Sequence, residues 1–247
     1  MQDSTQLAVE HWNRTPLFLS EEARYAQYPW LYQASEFRQH LGEWVLEIGC
    51  GSGCDLLQFA RHGARAVGVD VTPQHLRLAQ QRVANRATIC LADATRLPFH
   101  DGSFDYVFSH GVLHHLDRPR AMVEEIFRVL RPGRRFNIHV YARYSLFLFG
   151  KMIKHGRSWR TCIENSQDPV HIDFYTKRRL RKLFAPAEVT VEKVDCPHLK
   201  PLGPLFQGWV GWFLVVKGTS PRTSEPTRRA AKSLPSARKK AGDLQQT

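Results

Sequence analysis

The sequence predicts an α/β fold with a mostly parallel sheet, and three observations carry that expectation. Short apolar runs recur from residue 44 to residue 140, helical periodicities of about ten residues separate them, and a glycine-rich turn follows the first run. Trp44 to Ile48 reads as the first strand, and Cys54 to His62 carries Leu56, Leu57, Phe59 and Ala60 at helical spacing. Ala66 to Val69 is the second strand, after which Thr72 caps a helix with Pro73 at its first position. Ala87 to Leu91 and Phe104 to Ser109 are the third and fourth strands. Pro119 opens a helix through Met122, Val123, Ile126, Phe127 and Leu130, which Pro132 and Gly133 stop, and Phe136 to Val140 is the fifth strand. Thr176 looks like the cap of a later helix through Leu180 and Leu183. Two further strands, Val189 to Val194 and Trp209 to Val216, have no helix between them and are expected to be antiparallel neighbours.

This pattern divides the 247 residues into an aromatic-rich helical cap at 1–40, an α/β domain at 41–218 with an insertion at about 141–170, and a basic tail at 219–247 expected to be disordered. Charge is unevenly placed within a net of +12: residues 131–182 hold 13 basic and 3 acidic side chains, and residues 218–247 hold 7 and 2. An anionic surface would be met there, but no nucleic-acid recognition motif accompanies the charge, so specific nucleic-acid binding is not expected. Five scattered cysteines without a CxxC pair argue against a disulfide framework or a zinc site, and with an N-terminus unlike a signal peptide the expectation is a cytoplasmic protein. Oligomeric state is left open.

The sharpest local signal is Glu47-Ile48-Gly49-Cys50-Gly51-Ser52-Gly53, where a strand turns on alternate glycines into a helix. Such a turn brings backbone close to a ligand. A dinucleotide fingerprint would place its third glycine at 54, where Cys54 stands, and a phosphate-binding Walker loop would end in Gly-Lys-Ser/Thr, which is absent. Glu47, just before the turn, would repel a pyrophosphate but suits a cationic, amino-acid-bearing cofactor. Asp70 closes the second strand, where an acid can accept both hydroxyls of a ribose, and Asp93 follows the third, where it can accept an adenine amino group. Loop acids also cap helices, so each alone has an ordinary explanation. Their common place at strand carboxyl ends raises them together.

These residues resemble the class I S-adenosylmethionine-dependent methyltransferases, in particular the small-molecule group called methyltransferase type 11. Glu47 to Gly53 looks like the first motif of that family and Gly68-Val69-Asp70 like its second. Asp93-Ala94-Thr95-Arg96-Leu97-Pro98-Phe99, Phe104-Asp105-Tyr106-Val107, Leu113-His114-His115-Leu116 and Val129-Leu130-Arg131-Pro132-Gly133 continue the match. The resemblance implies a Rossmann-like seven-stranded sheet in the order 3-2-1-4-5-7-6, the last strand antiparallel, with helices on both faces. It implies S-adenosylmethionine as cofactor and methyl transfer to a small-molecule acceptor. The cofactor residues it points to are Glu47, Gly49, Cys50, Gly51, Gly53, Asp70, Val71, Asp93, Ala94 and Ser109, the last lining the sulfonium side.

The acceptor side is less marked. His110, His114 and His115 are candidate bases, since imidazole titrates near neutrality, but adjacent histidines at a turn also cap carbonyls. Methyl transfer by a strong electrophile can proceed by placement alone, so no catalytic residue is assigned. No metal is expected, for lack of an acidic partner at ligand spacing. Trp12, Tyr25, Tyr28, Trp30, Tyr141, Tyr144 and His171 are candidate acceptor contacts, or simply aromatics that pack the cap on the sheet. Residues 144–160 interleave apolar and basic side chains, a pattern that suits peripheral contact with an anionic membrane and a lipid or quinone-like acceptor, or equally a surface helix over the site. A non-catalytic module that binds S-adenosylmethionine is the remaining alternative.

Overall fold

The computed structural model describes residues 4–14, 20–155, 171–194 and 211–222. Its centre is a seven-stranded sheet of β1 (Trp44–Ile48), β2 (Arg65–Asp70), β3 (Thr88–Leu91), β4 (Phe104–His110), β5 (Leu130–Tyr141), β6 (Val189–Val194) and β7 (Phe213–Thr219). The spatial order is β3-β2-β1-β4-β5-β7-β6, with β7 antiparallel to both β5 and β6 and all other pairs parallel. The helices are α1 (Ser4–Arg14), α2 (Glu21–Gln27), α3 (Leu31–Ala34), α4 (Cys54–Arg61), α5 (Pro73–Val83), α6 (Pro119–Val129), α7 (Leu146–His155) and α8 (Lys177–Leu183). Among the described residues no helix is long and apolar enough to cross a membrane.

Alternation along the central strands feeds two cores. Leu46, Ile48, Val67, Val69 and Val107 face the side covered by Met122, Val123, Ile126 and Val129 of α6. Val45, Tyr106 and Phe108 face the opposite side, where Leu56, Leu57 and Phe59 of α4 meet Leu31 and Phe37 of the cap. Complete burial of side chains of this size stabilises by about 1.5–3 kcal/mol each before the entropy of ordering is subtracted.

Most strand ends fall within one residue of the sequence expectation, and β5 and β7 depart from it further. β5 begins at Leu130, directly after α6, and runs through Pro132 and Gly133. The register slips between Phe104 and Tyr106, and Gly133 takes a left-handed φ of 74°, so the proline–glycine pair makes an irregular strand start where a full stop was expected. The last strand begins at Phe213, and its described end reaches Thr219, paired with Arg135. Ser220 is buried and its hydroxyl donates to the Arg131 carbonyl at 2.8 Å, so the domain extends past the expected boundary at 218. The rest of the tail, 223–247, lies outside the described residues.

The cap is fastened by polar contacts as well as rings. Ser20 caps α2 by accepting from Ala23 N at 3.1 Å. Arg24 then reaches Asp55 on α4, its Nε 2.8 Å from Oδ1 and its Nη2 against Oδ2, while Tyr25 donates to the same Oδ1 at 2.8 Å. Within the 141–170 insertion, α7 accounts for 146–155, and residues 156–170 lie outside the described set.

Candidate functional site

The cleft opens where β1, β2, β3 and β4 end, the place at which open α/β sheets bind ligands. It holds about 1100 Å³ of empty space, the open solvent at its mouth included. The glycine turn forms one wall. Gly49 N and Cys50 N both donate to the Val69 carbonyl, at 2.8 and 2.9 Å, which ties the turn to β2. Gly49, Gly51 and Gly53 have φ of 75°, 51° and 79°, so the turn is built from left-handed residues that only glycine adopts at little cost.

The three glycines then do different jobs. A Cβ on Gly49 would lie 2.1 Å from Val112 Cγ2, and one on Gly53 would lie 3.1 Å from the Ala79 backbone. A Cβ on Gly51 would meet nothing within 4 Å, although the residue lines the cleft. Gly51 is thus a cradle whose open volume faces the space a ligand would fill.

Asp70 organises the floor. Its Oδ2 accepts from Gly51 N at 2.9 Å and its Oδ1 from Thr72 N at 2.9 Å, with His75 Nδ1 3.6 Å from Oδ1. Each oxygen keeps accepting capacity toward the cleft, the arrangement a vicinal diol needs. Asp93 Oδ1 accepts from Thr95 N at 2.7 Å and from the Thr95 hydroxyl at 2.8 Å, which sets its carboxylate beside Ala94. Val71, Ala92, Ala94 and Leu116 give the cleft apolar wall between these two acids. Acidic floor, apolar walls and the open Gly51 cradle fit an adenosine with a cationic amino-acid tail, and lack the basic cluster a pyrophosphate would want.

Of the residues singled out from the sequence, Gly49, Gly51, Asp70, Val71, Asp93, Ala94, His110, His115 and Trp12 line the cleft. Four expected cofactor contacts stand behind it instead. Glu47 is buried beneath the turn, where burial and the neighbouring Asp55 push its carboxyl well above the usual range while Arg24 opposes the rise. Cys50 packs in the α4-side core, and burial raises its thiol. Gly53 supports α5, as its contact with Ala79 shows. Ser109 does not face the cleft: fully buried, it donates to the Ile48 carbonyl at 2.8 Å and staples β4 to β1.

The acceptor-side candidates divide in the same way. Trp12 reaches over from α1 with its ring 5.4 Å from His115 and 6.4 Å from His75. His115 Nδ1 donates to the His171 carbonyl at 3.0 Å, and the His171 ring lies 3.7 Å from Asp117. His114 is fully buried and stacked on Tyr141 with centroids 3.9 Å apart, and burial holds it well below the usual imidazole range. Tyr25 is occupied with Asp55. Tyr28 and Trp30 pack beside the cleft against His110 and Phe213, and Tyr144 is exposed on the surface.

Several lining residues were not singled out from the sequence, among them Thr72, His75, Thr95, Val112, Asp117 and Arg118. Thr72 and Thr95 follow acids by two residues, an Asx-turn spacing that marks them in retrospect.

Comparison with known proteins agrees with this geometry. Residues 46–138 match a family model described as a methyltransferase domain. The chain is 33% identical over 99 residues to the sterol 4-C-methyltransferase of Caenorhabditis elegans, covering 38% of this chain and 30% of that protein. It is 37% identical over 99 residues to the demethylmenaquinone methyltransferase of Clavibacter sepedonicus, covering 39% and 40% respectively. The chain thus spans less than half the length of these curated relatives. Among solved structures, a SAM-dependent methyltransferase from Thermotoga maritima, described as a possible histamine N-methyltransferase, superposes with a TM-score of 0.62 at 22% identity over 86% of this chain and 99% of that one. The [4+2]-cyclase SpnF superposes at 0.58 with 17% identity over 88% and 93%. With the strand order, the glycine turn and the match over 46–138 all in register, residues 46–138 are similar to the methyltransferase domain family of the methyltransferase type 11 kind, and the likeness to the solved structures shows the fold that carries them.

Proposed function

We propose that the protein transfers the methyl group of S-adenosylmethionine to a small-molecule acceptor. The observation that carries the reading is the Asp70 carboxylate, held by Gly51 N and Thr72 N beside the open Gly51 cradle. In this reading Asp70 accepts the ribose hydroxyls, Val71 and Ala94 sandwich the adenine, and the free Asp93 oxygen takes its amino group. The backbone at Gly49 and Gly51 carries the methionine portion. Bound there, the cofactor supplies an electrophilic methyl group, and the protein's share is to place an acceptor in line with it and keep competing water away.

Glu47 acts indirectly. Buried under the turn and out of the cleft, with its carboxyl pushed well above the usual range by burial, it orients the glycine turn rather than presenting a charge to the ligand. The acceptor enters on the side of Trp12, His110 and His115, which the cap and the turn after β4 share. Calorimetry with S-adenosylhomocysteine, followed by its release during turnover over a pool of phenols, amines, thiols and prenylated quinones, tests the reading. Absence of both binding and turnover refutes it, and binding without turnover across the pool favours a cofactor-binding module.

A lipid-borne acceptor is a second reading, supported by the exposed Tyr144, Phe149 and Ile153 at α7 within a strongly basic stretch. Relatives that by name methylate a sterol and demethylmenaquinone point the same way. Co-sedimentation with vesicles containing phosphatidylserine, compared with a Phe149→Ser/Ile153→Ser variant, tests it; equal pelleting of the two proteins rejects this surface as the contact.

A further inference from the structure

The cleft-lining His110 is the first member of a hydrogen-bonded chain that runs away from the cleft into the protein. His110 closes β4, and His139 is its direct partner in the β4–β5 register. Their Nδ1 atoms are 3.1 Å apart. His139 Nε2 lies 2.9 Å from Asn137 Oδ1, and Asn137 Nδ2 lies 2.7 Å from the Ala34 carbonyl at the end of α3.

This chain can be read in one direction only. The Ala34 carbonyl accepts and never donates, so it fixes the Asn137 amide with its NH₂ toward the cap and its oxygen toward His139. An amide oxygen also only accepts, so His139 Nε2 carries a proton. His139 is fully buried, and burial together with nearby positive charge keeps it neutral, which leaves its Nδ1 bare. His110 Nδ1 is therefore the donor of the His110–His139 bond. A neutral His110 then has its lone pair on Nε2, the less common tautomer of a free imidazole, and Nε2 has no hydrogen-bond partner among the described residues.

The ring is held for this purpose. Phe213 of β7 stacks on it with centroids 5.0 Å apart and planes 24° from parallel, while Tyr28 and Trp30 of the cap flank it at 5.4 and 5.8 Å. The titratable or charged groups around it are His139 on β5, His114 on the turn after β4, and Tyr28 and Arg24 of the cap. Burial and the Arg24 charge hold His110 well below the usual imidazole range, so it stays neutral through the physiological range and releases a captured proton readily.

We propose that His110 is the proton acceptor of the site, its Nε2 presented to the acceptor by the Asn137–His139 relay, and that the acceptor is a hydroxyl, amine or thiol that loses a proton on methylation. The inference rests on the methyltransferase reading above. As the acceptor heteroatom bonds to the methyl carbon, the carbon–sulfur bond breaks with its electron pair going to sulfur. The acceptor's proton moves to His110 Nε2 and later leaves to solvent. His139 and Asn137 are positioning residues, since they act only through His110.

The test is nitrogen-15 histidine NMR of the full chain with and without S-adenosylhomocysteine. The expected spectrum shows His110 with a protonated Nδ1 and a bare Nε2, and His139 with the reverse. In His139→Phe the acceptor for His110 Nδ1 is gone and the His110 proton shifts to Nε2. A wild-type His110 protonated on Nε2 overturns the proposal whether or not cofactor product binds. Calorimetry on the same samples separates that outcome from failure of the methyltransferase reading, which would show as loss of S-adenosylhomocysteine binding with the tautomer intact. On an acceptor found in the pool, His110→Gln is expected to lower kcat by about 100-fold or more with little change in KM, and to abolish the acid limb of the wild-type pH profile. A kcat within threefold of wild type, or an acceptor with no removable proton, overturns the proposal.

Discussion

At the scale of single residues, the site is decided by which side chains reach the cleft and which only support it. Asp70 belongs to the first group. Asp70→Ala removes the proposed ribose acceptor and strands Gly51 N and Thr72 N, so S-adenosylhomocysteine affinity is expected to fall by about 10- to 100-fold, the loss of hydrogen bonds to a charged group. Calorimetry reads this directly, and an unchanged Kd would remove Asp70 from the site. Gly49 belongs to the second group. Gly49→Ala combines a left-handed φ of 75° with a methyl 2.1 Å from Val112 Cγ2, for a destabilisation of about 3 kcal/mol, and Val112→Ala in the same chain should recover part of it in thermal melts. The sequence marked both residues, because glycines after an apolar run and an acid at a strand end are local signals. It did not show that Glu47, Cys50, Gly53 and Ser109 stand behind the cleft: Glu47 and Ser109 lie on strands, whose ligand-facing side is set by tertiary packing, while at Cys50 and Gly53 the outcome depends on the backbone angles of the turn. His139 and Asn137 left a readable trace. They are two polar residues, two apart, within the otherwise buried and apolar run Phe136–Val140 of β5, a spacing that places both on one face.

At the scale of elements, the cap is anchored to the nucleotide-binding half through α2 and α4. Asp55 on α4 is almost wholly buried and answered by Arg24, with Tyr25 as a further donor. Arg24→Met leaves that carboxylate without its cation and is expected to cost about 3 kcal/mol in urea unfolding. Arg24→Met combined with Asp55→Leu should be more stable than Arg24→Met alone, because the stranded charge is gone; a double variant no better than the single one would show that the pair is not what holds the cap. This anchor was invisible in the sequence, since Arg24 and Asp55 are 31 positions apart and each looks like a solvated helix charge. Strand and helix identities were clear from periodicity, while the starts of β5 and β7 were not. Leu130 continues the apolar stripe of α6 without a break, and the apolar residues before Phe213 resemble strand.

For the molecule as a whole, the buried histidines set the response to acid. His110, His114 and His139 are all held below the usual imidazole range by burial. The unfolded chain therefore binds more protons than the folded one below about pH 6.5, and each ring removes up to about 1.4 kcal/mol of stability per pH unit as the pH falls. Glu47 works in the opposite sense, because its raised carboxyl favours the folded state at lower pH, but it is one group against four, since burial lowers His40 as well. Melting temperature is expected to fall steadily from pH 7 to pH 5. A flat or rising profile would mean that these rings are not neutral in the folded protein.

Phe213 adds a consequence in time. The crevice walls that would hold a nucleoside are complete once residues up to about 118 have been made, yet the ring that seats His110 arrives almost a hundred positions later, on the strand inserted between β5 and β6. During vectorial synthesis a nascent chain can acquire its nucleoside crevice well before the imidazole is locked in place. Ribosome-bound intermediates stalled before residue 213 would then bind S-adenosylhomocysteine while lacking the ability to use an acceptor.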